Sequence, residues 1–157
     1  MHRILTIAGK IIKRYENKEQ VMAKEVGAVE RVRIAIDQVR AFGEGKENDF
    51  GTAAAVIRDV RDAIAEARTA GADISDLRSL LPELEQKARR FYADKAVNRV
   101  RRIGEGKISG YITPDSAIRD ARNAIADARS AGSDVSDLES GMPEIEQKAW
   151  RFAARKA

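Results

Sequence analysis

The chain has 157 residues, of which 43% are hydrophobic and 34% charged, and 29 Lys and Arg against 25 Asp and Glu give a net charge of +4. The absence of cysteine excludes disulfides, thiolate catalysis, iron–sulfur clusters and cysteine-based zinc sites. His2 is the only histidine, which excludes metal sites built on several imidazoles. The composition is typical of a soluble helical protein.

The sequence contains no run of about 20 apolar residues, the length that a transmembrane helix needs. The short apolar run 4–8 is followed by Lys10 and by no small-residue cleavage site, so we do not expect a secretory signal. We therefore expect a cytoplasmic protein.

Residues 1–17 form a basic amphipathic segment. Ile4, Ala8, Ile11 and Tyr15 fall on one face of a helix, and all the fixed charges before Glu16 are basic. Such a helix can lie on an anionic membrane surface, dock into the groove of a partner protein, or pack on the core of its own chain. Its candidate protein-binding residues are Ile4, Ile11 and Tyr15.

Residues 18–42 are predicted to form an amphipathic helix with a heptad-like apolar stripe. The stripe consists of Met22, Val26, Val29, Val32, Ile36 and Val39. The sequence Gly43-Glu44-Gly45-Lys46 then predicts a helix stop, because glycine adopts positive φ without a Cβ penalty. It is not a phosphate-binding loop, since Lys46 is followed by Glu47 rather than by Ser or Thr.

Residues 52–70 are predicted to form the next helix, capped at its end by Gly71. We expect its buried face to consist of Val56, Val60, Ala63, Ile64 and Ala67. Ser75 is the expected N-cap of the helix that follows. The acidic spacing around Ser75 is not a calcium loop, because no glycine stands at the sixth position and Leu84 takes the place of the terminal Glu.

Pro82 lies too far into the following helix to occupy its free first turn, so it predicts either a kink or a break with Ser79 as a new cap. Beyond Pro82 a long central helix is expected to continue to Ile103. Its apolar positions are Leu84, Ala88, Phe91, Val97, Val100 and Ile103.

The stretch 57–96 recurs 61 residues later as 118–157 without a gap, which indicates a tandem duplication. The second copy predicts a helix over 113–131 with Thr113 as N-cap, buried alanines at its seam, and Gly132 as its end cap. The following helix is predicted to begin with a capping box from Ser136 to Glu139. Pro143, like Pro82, predicts either a kink in this helix or a break with Ser140 as a new cap.

These elements predict an all-α fold: an antiparallel helical array of five to six helices, made of two tandem helical-hairpin repeats that share a long central helix. The predicted parts are an N-terminal segment 1–17, a first repeat 18–107 and a second repeat 84–157, with 84–107 shared, in one compact domain. Both a spectrin-like pair of three-helix bundles and an α-solenoid-like stack fit this pattern.

The best candidate for enzymatic chemistry is an acidic face at Asp59, Asp62 and Glu66. Arginines are interleaved with these carboxylates, and no histidine can complete a di-iron site. We therefore expect a solvated face of ion pairs, as also predicted for Glu83/Lys87 and Glu144/Lys148. No catalytic residue, cofactor, metal or small-molecule substrate is predicted.

Two further features point to binding. A basic stripe along the central helix could contact the phosphates of a nucleic acid without recognising its base sequence. Trp150 replaces Arg89 in the second copy, which suggests contact with a partner subunit or a local core contact. The candidate nucleic-acid-binding residues are Arg89, Arg90, Lys95, Arg99, Arg101, Arg102 and Lys107, flanked by Lys87.

The sequence carries no family-specific motif. It favours a non-catalytic helical-repeat scaffold that binds another protein or itself. Nucleic-acid binding through the basic stripe is the alternative, and peripheral membrane binding through the N-terminal helix is a second alternative.

Overall fold

The computed structural model describes the backbone of residues 2–46, 51–108 and 113–155, and the side chains of these ranges from residue 16 onward. The described residues are helices joined by turns, which confirms the all-α prediction. None of these helices is long and apolar enough to cross a membrane. The helices are α1 (His2–Gly43), α2 (Ala53–Thr69), α3 (Ser75–Ser79), α4 (Leu81–Gly104), α5 (Pro114–Ser130) and α6 (Ser136–Ala154).

Helix α1 runs without interruption through the predicted segment boundary at residue 17. The apolar stripe predicted along residues 22–39 is buried only in its second half. Met22 is 54% exposed and Val26 69% exposed, whereas Val32 and Val39 are fully buried. The reason is tertiary: α2 and α4 pack against α1, and Ala28 is the first buried residue among the described side chains of α1.

The two glycines of the Gly-Glu-Gly turns have different roles. Gly45 and Gly106 adopt φ of +71°, so they are the residues that reverse the chain. Gly104 still belongs to α4, and a Cβ placed on it would lie 3.0 Å from the backbone nitrogen of Ala149. The first glycine therefore permits close approach between helices, and only the second adopts the left-handed conformation that we predicted for the turn.

Helices α3 and α6 begin differently from the prediction. Ser75 and Ser136 are their first residues rather than their N-caps. Asp73 and Asp134 instead accept hydrogen bonds from the backbone N–H groups of these serines, each at 3.1 Å. The predicted capping box is also wrong, because the Glu139 carboxylate pairs with Arg129.

The Thr113 cap and the glycine caps are confirmed. The Thr113 hydroxyl accepts the backbone N–H of Ser116 at 3.3 Å, and Thr52 caps α2 in the same way. Gly71 and Gly132 follow α2 and α5 with φ of +81° and +85°.

The two prolines at equivalent positions have different outcomes. α3 ends at Ser79, and Pro82 lies in the first turn of α4. In the second copy α6 is continuous, and Pro143 lies inside it. Ser79 and Ser140 cap neither helix, since their hydroxyls donate to the carbonyl oxygens of Asp76 and Asp137, three residues earlier.

The buried side chains form two clusters along the chain. The C-terminal half of α1, with α2, α3 and the start of α4, surrounds the first, where the rings of Phe42 and Phe91 meet edge to face at 5.4 Å. The rest of α4, with α5 and α6, surrounds the second, which is rich in alanine. Tyr92 of α4 is partly buried against both clusters, so α4 connects them.

Buried positions in the two clusters correspond at the 61-residue offset of the sequence. The predicted faces of α2 and α5 are buried, apart from Ala63, which is only partly so. The matched buried pairs include Ile36/Val97, Val39/Val100, Ile57/Ile118, Ile64/Ile125 and Ala67/Ala128.

Candidate interaction surface

The most prominent apolar surface in the described part of the chain lies on α1. Every residue from 16 to 24 is exposed, and we call this stretch the exposed segment of α1. Val21 is 50% exposed, and Met22 and Val26 are more so. An amphipathic helix gains most of its stability from packing its apolar face against another element. Valine and methionine exposed in this way therefore indicate a surface on which something else packs.

The predicted contact residues Ile4, Ile11 and Tyr15 also belong to α1. The backbone there is helical, but their side chains lie outside the described residues. Their predicted role stays a prediction, and the described part of the same helix that bears on it is the exposed segment.

Trp150 lies on α6 with 48% of its surface exposed. It is therefore not a core residue. α1 packs against α2 and α4, whereas α6 packs against α4 and α5, so Trp150 and the exposed segment of α1 belong to different parts of the array. The structure does not bring the two protein-contact candidates into one site.

A groove of about 640 Å³ lies between α5 and α6. Ile125 and Met142 contribute its apolar surface. At one side, the Arg122 guanidinium donates two hydrogen bonds to the Glu146 carboxylate at 2.8 and 2.7 Å, which raises the pKa of Arg122 above its ordinary value. Since these charges satisfy each other, the groove could take an apolar side chain but has no unpaired group for chemistry.

Sequence reasoning missed a smaller cavity of about 210 Å³ between the start of α2, α4 and α5. Arg89, Tyr92 and Asp127 line it together with residues 52–54 and Ala124. The Nε atom of Arg89 is buried and has no hydrogen-bond partner among the described residues. Because Arg89 and Asp127 carry opposite charges, they add no net charge to the cavity.

The acidic face of α2 is a surface of ion pairs. Glu66 pairs with Arg31 of α1 at 3.3 Å, and Asp59 lies 3.8 Å from Arg58. No cluster of potential metal ligands occurs among the described residues. The predicted pairs Glu83/Lys87 and Glu144/Lys148 are present, at 2.6 and 2.7 Å.

Two equivalent charged pockets lie beside the Gly-Glu-Gly turns. A hydrogen bond from Lys46 lowers the pKa of Glu44, and Arg40 and Lys87 lower it further. In the second copy Lys107 lowers the pKa of Glu105 in the same way, with support from basic neighbours on α4 and α6. These carboxylates stay ionised beside lysines, which suits a stabilising ion-pair network and not an acid or a base poised near neutral pH.

The residues of the basic stripe differ in burial and in pairing. Arg89, Arg90 and Lys95 are partly buried, and Arg90 pairs with Asp94 at 3.3 Å and with Asp137 of α6 at 2.7 Å. The exposed members are Arg99, Arg101, Arg102 and Lys107, of which Lys107 pairs with Glu105 and Arg101 donates to Asn98.

The stripe is therefore not one continuous basic surface. Its first half joins α4 to the rest of the array, and only its second half could meet phosphates. Comparison of the chain with models of known protein families, with curated proteins and with solved structures finds no match.

Proposed function

We propose that this chain is a non-catalytic helical-repeat scaffold that binds another protein or itself. The observation that carries the proposal is the exposed segment of α1, where Val21, Met22 and the adjoining Val26 present half or more of their surface to solvent. The helix bearing them is anchored in the array through Val32 and Val39, which are fully buried. An anchored helix with an uncovered apolar face is a common means of recognition between helices.

The repeat organisation is part of the same proposal. We infer two three-helix units that share α4, as in a spectrin-like pair or an α-solenoid-like stack, and the correspondence of buried positions supports the repeat. The ion pair between α2 and α4, Arg61 with Glu85 at 2.9 Å, recurs between α5 and α6 as Arg122 with Glu146 at 2.7 Å. This recurrence is what duplication of one helical unit would produce.

A test replaces Met22 and Val26 together with glutamine. We expect the variant to fold, because both side chains are exposed, and to lose capture of the partner from native lysate or of a differently tagged copy of itself. Ile34→Gln is the matched control, since Ile34 also lies on α1 and is 52% exposed. A wild-type protein that stays monomeric and captures nothing would contradict the proposal.

Nucleic-acid binding is the second candidate. The exposed residues Arg99 and Arg102 support it, because they lie three residues apart on one face of α4 and could contact neighbouring phosphates. We place it second because the other half of the stripe is partly buried against its own chain.

A further inference from the structure

Helices α1 and α4 stand in equivalent positions relative to the turns that follow α2 and α5. A Cβ placed on Gly71 would lie 3.6 Å from Glu25 of α1, and one placed on Gly132 would lie 3.0 Å from Gln86 of α4. Glu25 and Gln86 are also 61 residues apart. N-terminal to Gln86, α4 packs into the first cluster through Leu84, whereas N-terminal to Glu25 every described side chain of α1 is exposed.

The uncovered part of α1 is not suited to another three-helix unit. The α4 residues Leu84 and Ala88 are buried in such a unit, but the equivalent α1 positions carry Ala23 and Gly27. One line of apolar residues on α1 instead recurs at spacings of three and four with one interruption, Lys18, and Leu5, Ile7 and Ile12 flank it. The line consists of Ile4, Ala8, Ile11, Tyr15, Met22 and Val26. Apolar residues at this spacing are typical of a coiled coil, and we call these six residues the α1 seam.

The charges along the seam favour a second copy of the same helix in the opposite direction. Residues 2–15 contain four basic residues and no acidic one, whereas residues 16–30 contain four glutamates and two lysines. In an antiparallel pair centred between residues 16 and 17, the basic part of each helix lies beside the acidic part of the other. In a parallel pair the basic parts would face each other, and like charges at this distance are unfavourable.

Lys18, which interrupts the seam, also favours the antiparallel pair. In the antiparallel pair, position 18 of one helix is opposite position 15 of the other. A lysine would then meet a tyrosine, and a cation beside an aromatic ring is favourable. In a parallel pair Lys18 would face the partner's Lys18.

We propose that the chain forms an antiparallel homodimer through the α1 seam, with the helical units at opposite ends of the shared coiled coil. This inference rests on the proposed function, because it takes self-association as the form of protein binding. The seam spans about 33 Å of helix at 1.5 Å per residue, and its exposed members Met22 and Val26 are covered in the dimer.

Sedimentation of the full-length chain across a concentration series tests the dimer. Wild-type protein should sediment as a dimer, and K13E/R14E should weaken association at least tenfold, since acidic residues then face acidic residues. Adding E16K/E19K to that variant restores complementarity and should restore the dimer. Stronger association of K13E/R14E than of wild type would overturn the antiparallel arrangement. In a parallel pair residues 2–15 of the two chains lie side by side, and the change removes their net positive charge and so their mutual repulsion.

Disulfide trapping tests the direction independently, because the chain contains no cysteine of its own. Chains with Ile11→Cys and chains with Met22→Cys should cross-link when mixed, and neither should cross-link alone, since positions 11 and 22 are opposite each other only in the antiparallel pair. Cross-linking of each variant with itself would overturn the inference.

The result also separates this inference from the proposed function. A monomeric chain that still binds another protein, and loses it in the Met22 and Val26 variant, would overturn the dimer but not the scaffold. A monomer that instead binds anionic vesicles through residues 1–15 would overturn both.

Discussion

Gly106→Ala is the sharpest test of how the Gly-Glu-Gly turns are built. Gly106 has φ of +71°, a conformation that costs an L-residue with a Cβ about 1 to 2 kcal/mol. A Cβ at this position would also lie 2.8 Å from the ring of Phe152. This distance is well inside van der Waals contact, so the ring on α6 must move.

The expected loss of stability is the sum of these two effects. Overpacking against a placed side chain typically costs about 1 to 3 kcal/mol, so we expect Gly106→Ala to destabilise the chain by about 2 to 5 kcal/mol. Gly71→Ala is the matched control. Gly71 has φ of +81°, but its nearest neighbouring atom is 3.6 Å away, so only the conformational cost of about 1 to 2 kcal/mol should remain.

Urea denaturation and thermal melting followed by circular dichroism measure the difference. For a chain of this size about 1 kcal/mol corresponds to roughly 2 to 4 °C in the melting temperature. Gly106→Ala should therefore melt at least a few degrees below Gly71→Ala. Equal melting temperatures for the two variants would refute the argument that the Phe152 contact requires glycine.

Three further predictions follow from the packing and the charges. Ala121→Leu should destabilise the chain by about 1 to 3 kcal/mol in urea denaturation, because Ala121 is fully buried, whereas leucine at the exposed Ala126 should change stability by less than about 0.5 kcal/mol. Hydrogen bonds from Ser136 lower the pKa of Asp134 below its ordinary value of 3.8. The ionised carboxylate therefore stabilises the fold above pH 3.8, and this contribution is lost as the pH falls through the lowered pKa. Asp134→Ala should flatten the pH dependence of the melting temperature in that range. In gel-shift assays, any binding of duplex DNA should weaken steeply between low and moderate salt and be lost in R99E/R102E, and binding that survives this change would lie outside the basic stripe.

Much of the local structure follows from the sequence because its causes are local. Helical periodicity places Val56, Val60 and Ile64 on one face of α2, and Thr113 followed by proline begins α5 as predicted. Serine is a good cap by itself, yet at Ser75 the nearby Asp73 accepts the backbone N–H instead. That choice depends on how the preceding turn is folded, which propensity does not specify.

The candidate site was only partly predictable for a similar reason. Periodicity treats Met22 and Val32 alike, since both continue one apolar stripe. Only the positions of α2 and α4 along α1 decide that Val32 is buried and Met22 exposed. The same holds for Arg89, whose place in a cavity beside Tyr92 and Asp127 depends on helices distant in sequence.

The sequence by itself determined the all-helical class, most of the helix ends and the 61-residue correspondence, because these depend on backbone preferences and on apolar spacing within short windows. Tertiary structure alone decided which part of the apolar stripe 22–39 is covered and which members of the basic stripe are exposed. It also decided that Gly104 permits close helix packing whereas Gly106 forms the turn. These features depend on which surfaces meet, and the burial of a side chain is a property of its neighbours as much as of its own residue.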